Sequence, residues 1–352
     1  MNRAVHALRS AALRSALLFR SALCVIAALW SAGASAQDSA TTFKGKTIDL
    51  YTGYTVGGGY DLYTRLLARH IGKHLPGNPT VVPKNMEGAA SIRFANWLYS
   101  VAPKDGTAFG TIGRGTALDP LLGQPGAQFD GTKFNWIGSA NNEVSVCVAW
   151  HTTGFTTFDD MMRRELLIGG TGPGDDTVQF GKVLVGVLGA KLKIVAGYPG
   201  GNDAVLAMER GELQGRCGWS YSSVKAGHPD WLARKKIAIL VQFALAKHPE
   251  LPDVPLIVDL AKTEEQQKLL RFVFARQVMG RPYLAPPGVP PATVAVLRRA
   301  FMETMEDKEF LADAERLKFE ITPVSGERIQ ALVAELYKTP PELTKRLADM
   351  LK

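Results

Sequence analysis

Ile48-Asp49-Leu50-Tyr51-Thr52-Gly53-Tyr54-Thr55-Val56-Gly57-Gly58-Gly59-Tyr60-Asp61 decides the fold. Its first five residues form a short apolar run of the strand type. Beyond the glycines, Leu62, Tyr63, Leu66, Leu67 and Ile71 recur at helical spacing, so a strand turns directly into a helix. Three consecutive glycines cost backbone entropy, so the turn either is very tight or leaves its backbone bare for a ligand to approach. In an open α/β sheet, ligands collect beyond the carboxyl ends of the strands, at helix N-termini whose free N–H groups favour carboxylate or phosphate.

The same rhythm runs outward from this turn. Thr80-Val81-Val82, Ala108 to Ile112, Val144 to Ala149, Leu166-Leu167-Ile168, Lys193-Ile194-Val195 and Ile237 to Val241 read as strands, with helical patterns between them. This predicts an α/β fold with a mainly parallel sheet. Arg281 to Pro290 reads as a stiff connector, and three helical patterns near 291–304, 307–317 and 325–337 close the chain. Tyr198-Pro199-Gly200-Gly201-Asn202-Asp203 echoes the first glycine turn and again stands between a strand and a helix.

Residues 1–36 are read as a secretory leader cleaved after Ala36. Arg3, Arg9, Arg14 and Arg20 precede an apolar run through Leu23 to Trp30, and Ala34-Ser35-Ala36 has the small-x-small pattern. The product is expected to be exported and soluble. Four of the eight excess positive charges belong to the leader, and the remaining Lys and Arg are scattered, which argues against a nucleic-acid partner. After leader removal Cys147 and Cys217 remain. In an exported chain they either pair or stay separate buried thiols, and spacing alone does not choose. No cofactor is expected. His70 and His74 lack a third ligand, so no metal site is expected either. Nucleotide motifs fail: Gly53 to Gly59 lacks the Lys of a P-loop, and neither Gly57-Gly58-Gly59 nor Gly110 to Gly115 has dinucleotide spacing.

Taken in order, these motifs resemble the substrate-binding proteins of tripartite tricarboxylate transporters, the Bug/TctC family. The likeness is carried by Tyr54 to Asp61, Asn85-Met86-Glu87-Gly88-Ala89, Pro103-Lys104-Asp105-Gly106, Tyr198 to Gly201, Gly211-Glu212-Leu213, Pro252 to Pro255 and Ala285 to Pro290. The resemblance implies a two-lobed periplasmic binding protein of the Venus flytrap type, type II-like, with a cleft between the lobes. Lobe 1 would hold 41–146 plus 275–352, and lobe 2 would hold 147–274. It further implies a monomer that closes on a small organic anion: a di- or tricarboxylate, an aromatic acid or an amino acid. Delivery would be to the large and small membrane subunits of such a transporter.

Carried over, the ligand-binding set is Thr55, Gly57, Gly58, Gly59, Asp61, Gly88, Ala89, Ser91, Thr171, Gly172, Gly174, Asp175, Tyr198 and Gly200. One departure stands out. Where the family often has Gly-x-Gly-Ser, this chain has Gly172-Pro173-Gly174-Asp175-Asp176, so an acid replaces a hydroxyl donor. Arg114 and Arg216 are candidate counter-charges for a ligand carboxylate. Asp175 either contacts the ligand or pairs with one of these arginines and braces the cleft. The acid hints at a ligand with an amino or hydroxyl group opposite its carboxylate. A β-branched residue at Gly58 is expected to abolish binding. Two other readings stay open: a periplasmic sensor subunit for a receptor or kinase, and a hydrolase using Ser220, Ser222 or Ser223 near His228, although no nucleophile elbow frames them.

Overall fold

The computed structural model describes residues 43–351 of the 352-residue chain; the leader and its cleavage point lie outside the described residues. Strand β1 (Thr47–Thr52) buries Ile48, Leu50 and Thr52 on one face, as period-two alternation requires. The helix Gly59–His70 follows and buries Tyr63, Leu66 and Leu67 on one stripe, the side that covers the sheet.

Among the described residues, eleven strands form two sheets. The first sheet uses β1, β2 (Thr80–Asn85), β3 (Ala108–Thr111), β4 (Asn135–Ser139), β10 (Pro282–Ala285) and β11 (Val324–Ser325), in the order β11-β4-β10-β3-β1-β2. The second uses β5 (Ser145–Trp150), β6 (Leu166–Gly169), β7 (Leu192–Val195), β8 (Gly215–Ser220) and β9 (Ile237–Phe243), in the order β7-β6-β8-β5-β9. The chain therefore passes from the first sheet to the second between Ser139 and Ser145, and returns between Phe243 and Pro282.

Neither sheet is mainly parallel, contrary to the sequence expectation. β1 runs parallel to β2 and β3, and β6 to β7 and β8. β10 is antiparallel to β3 and β4, β11 to β4, and β5 to β8 and β9. β5 and β10, which make most of the antiparallel pairs, are the strands that enter a sheet from the other one, so no local strand-helix-strand unit dictates their direction. The expected connector also proves to be a strand: Pro282–Ala285 is wholly buried between β3 and β4. Pro282 begins it, where a missing N–H is tolerated.

Each sheet carries apolar side chains on both faces. In the first, Leu50, Phe109 and Phe301 pack on one side, with Phe94, Trp136 and Leu284 on the other. In the second, Phe180, Phe243 and Phe274 oppose Val146, Trp219 and Trp231. Four helices, not three, close the chain: Pro291–Glu306, Lys308–Arg316, Gly326–Leu336 and Pro341–Met350. Leu347 of the last, with Leu351, joins the core of the second sheet. Cys147 on β5 and Cys217 on β8 are joined in a disulfide across this antiparallel pair. Among the described residues, no helix is long and apolar enough to cross a membrane.

Candidate functional site

A cleft of about 440 Å³ opens where loops of the two sheets face each other. From the first sheet it is lined by the turn after β1 and by the turn Gly113-Arg114-Gly115 after β3. The second sheet contributes the loop after β6, the start of the helix Gly201–Glu209, and the end of β8.

The triple glycine is built for close approach. Gly57 has φ +82°, a left-handed conformation that glycine enters without steric cost. Its N–H donates to Asp61 Oδ2 over 2.8 Å. Asp61 is buried and also accepts from Arg65 Nε at 2.8 Å and from Asn85 Nδ2 at 2.8 Å. Burial alone would raise its pKa, but these donors together hold it below the usual carboxylate range. Asp61 thus fixes the turn from behind and is not among the residues that line the cleft.

Gly58 is the N-cap of the helix and has negative φ, and a Cβ there would find room, meeting only Thr55 O at 3.7 Å. The tight position is Gly59, where a Cβ would collide with Ser223 Oγ and come within 3.1 Å of Arg281 Nη2. Both neighbours line the same cleft. The steric demand that sequence reasoning assigned to Gly58 therefore belongs to Gly59.

The segment 88–91 works at second hand. Ala89, Ala90 and Ser91 all have positive φ, at +47°, +53° and +75°, a strained run for residues that carry a Cβ. It swings Ser91 inward, where its Oγ accepts from Gly113 N–H at 2.9 Å and shares a hydrogen bond with Thr116 Oγ1 at 2.9 Å. Ser91 thereby holds the turn that carries Arg114. Gly88 and Ala89 are exposed, and none of the three lines the cleft. Gly172 also lies outside the lining; a Cβ there would meet Ala90 at 3.4 Å, so the two loops touch across the gap. Tyr198 sits beside Gly169, behind the wall.

Thr55, Gly57, Gly58, Gly59, Arg114, Thr171, Gly174, Asp175 and Gly200 do line the cleft. Two of these are committed to the protein itself. Arg114 is buried and ion-paired through Nε to Asp176 Oδ2 at 2.9 Å. Its Nη1 donates to Gln277 Oε1 at 2.7 Å and its Nη2 to Ser220 Oγ at 2.6 Å. Burial works against its charge, and Tyr60, Asp176 and Glu143 more than compensate. Asp175 caps the helix Asp176–Val183 through Thr177 N–H at 3.0 Å and accepts from Tyr54 OH at 3.1 Å. It forms no ion pair among the described residues; the arginines pair with its neighbour Asp176, which also holds Arg276 Nη1 at 3.3 Å. Burial comes first and raises Asp176, while the two guanidiniums pull it back.

Sequence reasoning missed this polar seam between the sheets. Arg281 pairs with Glu143 at 3.4 Å and donates to Ser220 and Ser223 at 3.1 and 3.0 Å. Its guanidinium lies 4.8 Å from the ring of Tyr60, which stacks on Tyr54 at 4.7 Å. Asn202 Nδ2 donates to Gly57 O at 3.2 Å. Tyr54 and Tyr60 bracket the glycines, and that spacing was the available signal.

The geometry is that of a ligand cleft held between two α/β sheets, and the comparisons with known proteins agree on the architecture. No protein-family model matches the sequence. The periplasmic binding protein BugD superposes with a TM-score of 0.68 at 19% identity, over 86% of this chain and 97% of BugD. The chain has the Bug/TctC-type periplasmic binding protein fold. An R. palustris protein solved with adipate gives a TM-score of 0.66 at 17% identity, over 86% of this chain and 97% of its own. MatC from Rhodopseudomonas palustris with bound malate gives 0.62 at 17%, over 87% and 99%. In sequence, a UPF0065 protein from the gbd 5′ region of Cupriavidus necator is 24% identical over 343 residues, covering 91% of this chain and 93% of that protein.

Proposed function

We propose that this chain is a periplasmic solute-binding protein. It captures a small organic anion by closing the two sheets over the cleft, and delivers it to the large and small membrane subunits of a tripartite tricarboxylate-type transporter. The observation that carries the reading is the convergence of two helix N-termini, at Gly59 and Gly201, on one cavity reached from both sheets. Such ends offer unpaired N–H groups and partial positive charge to an anion. The likeness to adipate- and malate-bound proteins of the same fold supports an organic acid as cargo. We place lobe 1 at 41–146 plus 275–340 and lobe 2 at 147–274 plus 341–352, moving the last helix, Pro341–Met350, out of the expected lobe 1 because Leu347 and Leu351 pack in the core of the second sheet.

The role is binding without chemistry. Ser220 Oγ and Ser223 Oγ accept from Arg281, and Ser222 Oγ donates to Glu143, so two of the serines face a cation, the third meets a carboxylate already ion-paired to Arg281, and among the described residues none is hydrogen-bonded to the His228 ring as a nucleophile–base pair would require. Asp175 and Asp176 point to different partners, which removes them as a carboxylate pair.

The test is a thermal-shift screen of residues 37–352, stripped of carried-over ligand by unfolding and refolding. The panel holds organic acids, amino acids and phosphate esters. A ligand at a hundred times its Kd adds about 2.7 kcal/mol. A shift with a carboxylate recovered unchanged supports the proposal. No shift with any anion, or a consumed compound, refutes it.

A further inference from the structure

Four buried arginines surround the cleft, and three of them are ion-paired: Arg114 and Arg276 to Asp176, and Arg281 to Glu143. Arg216 differs. It is only 7% exposed, lines the cleft, and enters no ion pair among the described residues. Its one hydrogen bond runs from Nη1 to Gly201 O at 3.1 Å, and its Nε is buried with no partner. The guanidinium lies 4.8 Å from the Trp219 ring. A cation–π contact compensates for lost hydration only in part, and buried charges in native proteins are otherwise paired. Burial lowers its pKa to about 10, which leaves it charged at neutral pH.

We infer that Arg216 is the counter-charge of the ligand, and that the ligand is a monocarboxylate with an apolar body. The inference rests on the solute-binding reading and narrows it. A guanidinium presents parallel N–H donors that match the two oxygens of a carboxylate. The walls beside it decide the rest of the molecule. Leu62 and Leu206 line the cleft yet stay 39% and 44% exposed, and Val205 and Trp219 continue the same apolar surface. His228 faces Trp219 at 5.5 Å, with its pKa lowered by burial, so it adds no second cation at neutral pH. Asp175 and Glu209 also line the cleft, and each would repel a second ionised group. Among the described residues, one cation without an ion pair, two acids outside the arginine pairs and an apolar wall line the cleft, a set that suits one negative charge on a hydrocarbon body. The adipate- and malate-bound neighbours carry dicarboxylates, so the inference separates this chain from them.

The test titrates residues 37–352 with benzoate, phenylacetate and hexanoate, and with adipate, malate and citrate. Calorimetry and tryptophan fluorescence report binding. A monocarboxylate should bind at least about tenfold more tightly than any dianion, and Arg216→Met should weaken it about a hundredfold. Arg216→Lys should restore part of that loss, because the charge returns without the planar fork. The matching amides, such as phenylacetamide, should bind weakly to the wild type and be indifferent to Arg216→Met, which tests the pairing from the ligand side. Tightest binding by adipate, malate or citrate overturns the inference and leaves the solute-binding reading intact. So does an Arg216→Met variant that still binds the monocarboxylate as the wild type does. Binding of no organic anion at all overturns both.

Discussion

Tyr54→Phe removes one hydroxyl from the cleft and little else. In the structure that hydroxyl donates to Asp175 Oδ2 over 3.1 Å, joining the turn after β1 to the loop after β6. Burial and the neighbouring Asp175 push the Tyr54 pKa well above its ordinary value, so the group stays a protonated donor at any working pH. The stacking of its ring on Tyr60 survives in phenylalanine. The Asp175 cap survives as well, because Oδ1 holds Thr177 N–H at 3.0 Å independently. The loss is a single hydrogen bond to a carboxylate, worth about 1.5–3 kcal/mol. The bond joins loops of the two sheets, so under the proposed closure its loss would fall on the closed state. The Kd for the tightest carboxylate should therefore rise about 10- to 150-fold, with little change in the melting temperature of the unliganded chain. Calorimetric titration reads the first quantity and a thermal melt the second. A double variant with Asp175→Asn should be less than additive. A Kd within about twofold of wild type would refute the reasoning, since it would mean that the contact adds nothing to closure.

Gly59→Ala should weaken ligand binding at least about tenfold without harming the helix, since alanine is favoured there by about 1 kcal/mol while its Cβ meets Ser223 and Arg281; equal affinity would show that the contact yields. Asp61→Ala should destabilise the chain by about 2–4 kcal/mol in denaturant unfolding and abolish binding, because Gly57 N–H, Asn85 and Arg65 all lose a buried acceptor. Reduction of Cys147–Cys217, which spans 70 residues, should cost about 4 kcal/mol on the chain-entropy estimate and lower the melting temperature; a melt indifferent to reductant would contradict this. Asp119 is buried without a hydrogen-bond partner, and burial raises its pKa well above the ordinary value. The folded chain then holds a proton that the unfolded chain releases, so stability falls with rising pH above the unfolded pKa, by up to about 1.4 kcal/mol per pH unit. Asp119→Asn should gain on wild type as pH rises from about 5 to 7, and parallel pH curves would exclude the effect.

Local chemistry was legible in the sequence where one short segment contains its own cause. β1 and the helix after it show periods of two and about 3.6 in adjoining residues, and the glycines between them mark the turn. Long-range pairing was not legible. β8 reads Gly-Arg-Cys-Gly-Trp-Ser, with two glycines and an arginine where an apolar run is sought, yet all six residues are buried at the centre of the second sheet. β10 is concealed by the prolines around it, and its antiparallel direction follows from where the chain re-enters the first sheet. The cleft shows the same division. Gly57 to Gly59 announce a close approach, but Asp61 and Ser91 turn away from it because their hydrogen-bond partners lie behind the loops. Asp175 and Asp176 look equivalent in sequence. The helix start separates them, sending one to the cap and Tyr54 and the other to Arg114 and Arg276.

On the proposed solute-binding function, the charges around the cleft would link ligand capture to closure. The guanidiniums of Arg114, Arg276 and Arg281 find their acids within the protein, at Asp176 and Glu143. These pairs tie Arg114, on the first sheet's turn, to Asp176 in the second, so they favour closure whether or not a ligand is present. Under the closure proposed above, Arg216 would oppose shutting on an empty cleft: its guanidinium is buried beside Trp219 with one side-chain hydrogen bond, and a buried cation without a partner costs several kcal/mol. An anion in the cleft cancels that cost only in the closed form, which is the differential affinity that a ligand needs in order to shift a conformational equilibrium. An unpaired arginine therefore does more than select the sign of the cargo. On the proposed solute-binding function it would also disfavour empty closure, so that the closed shape would report a filled cleft.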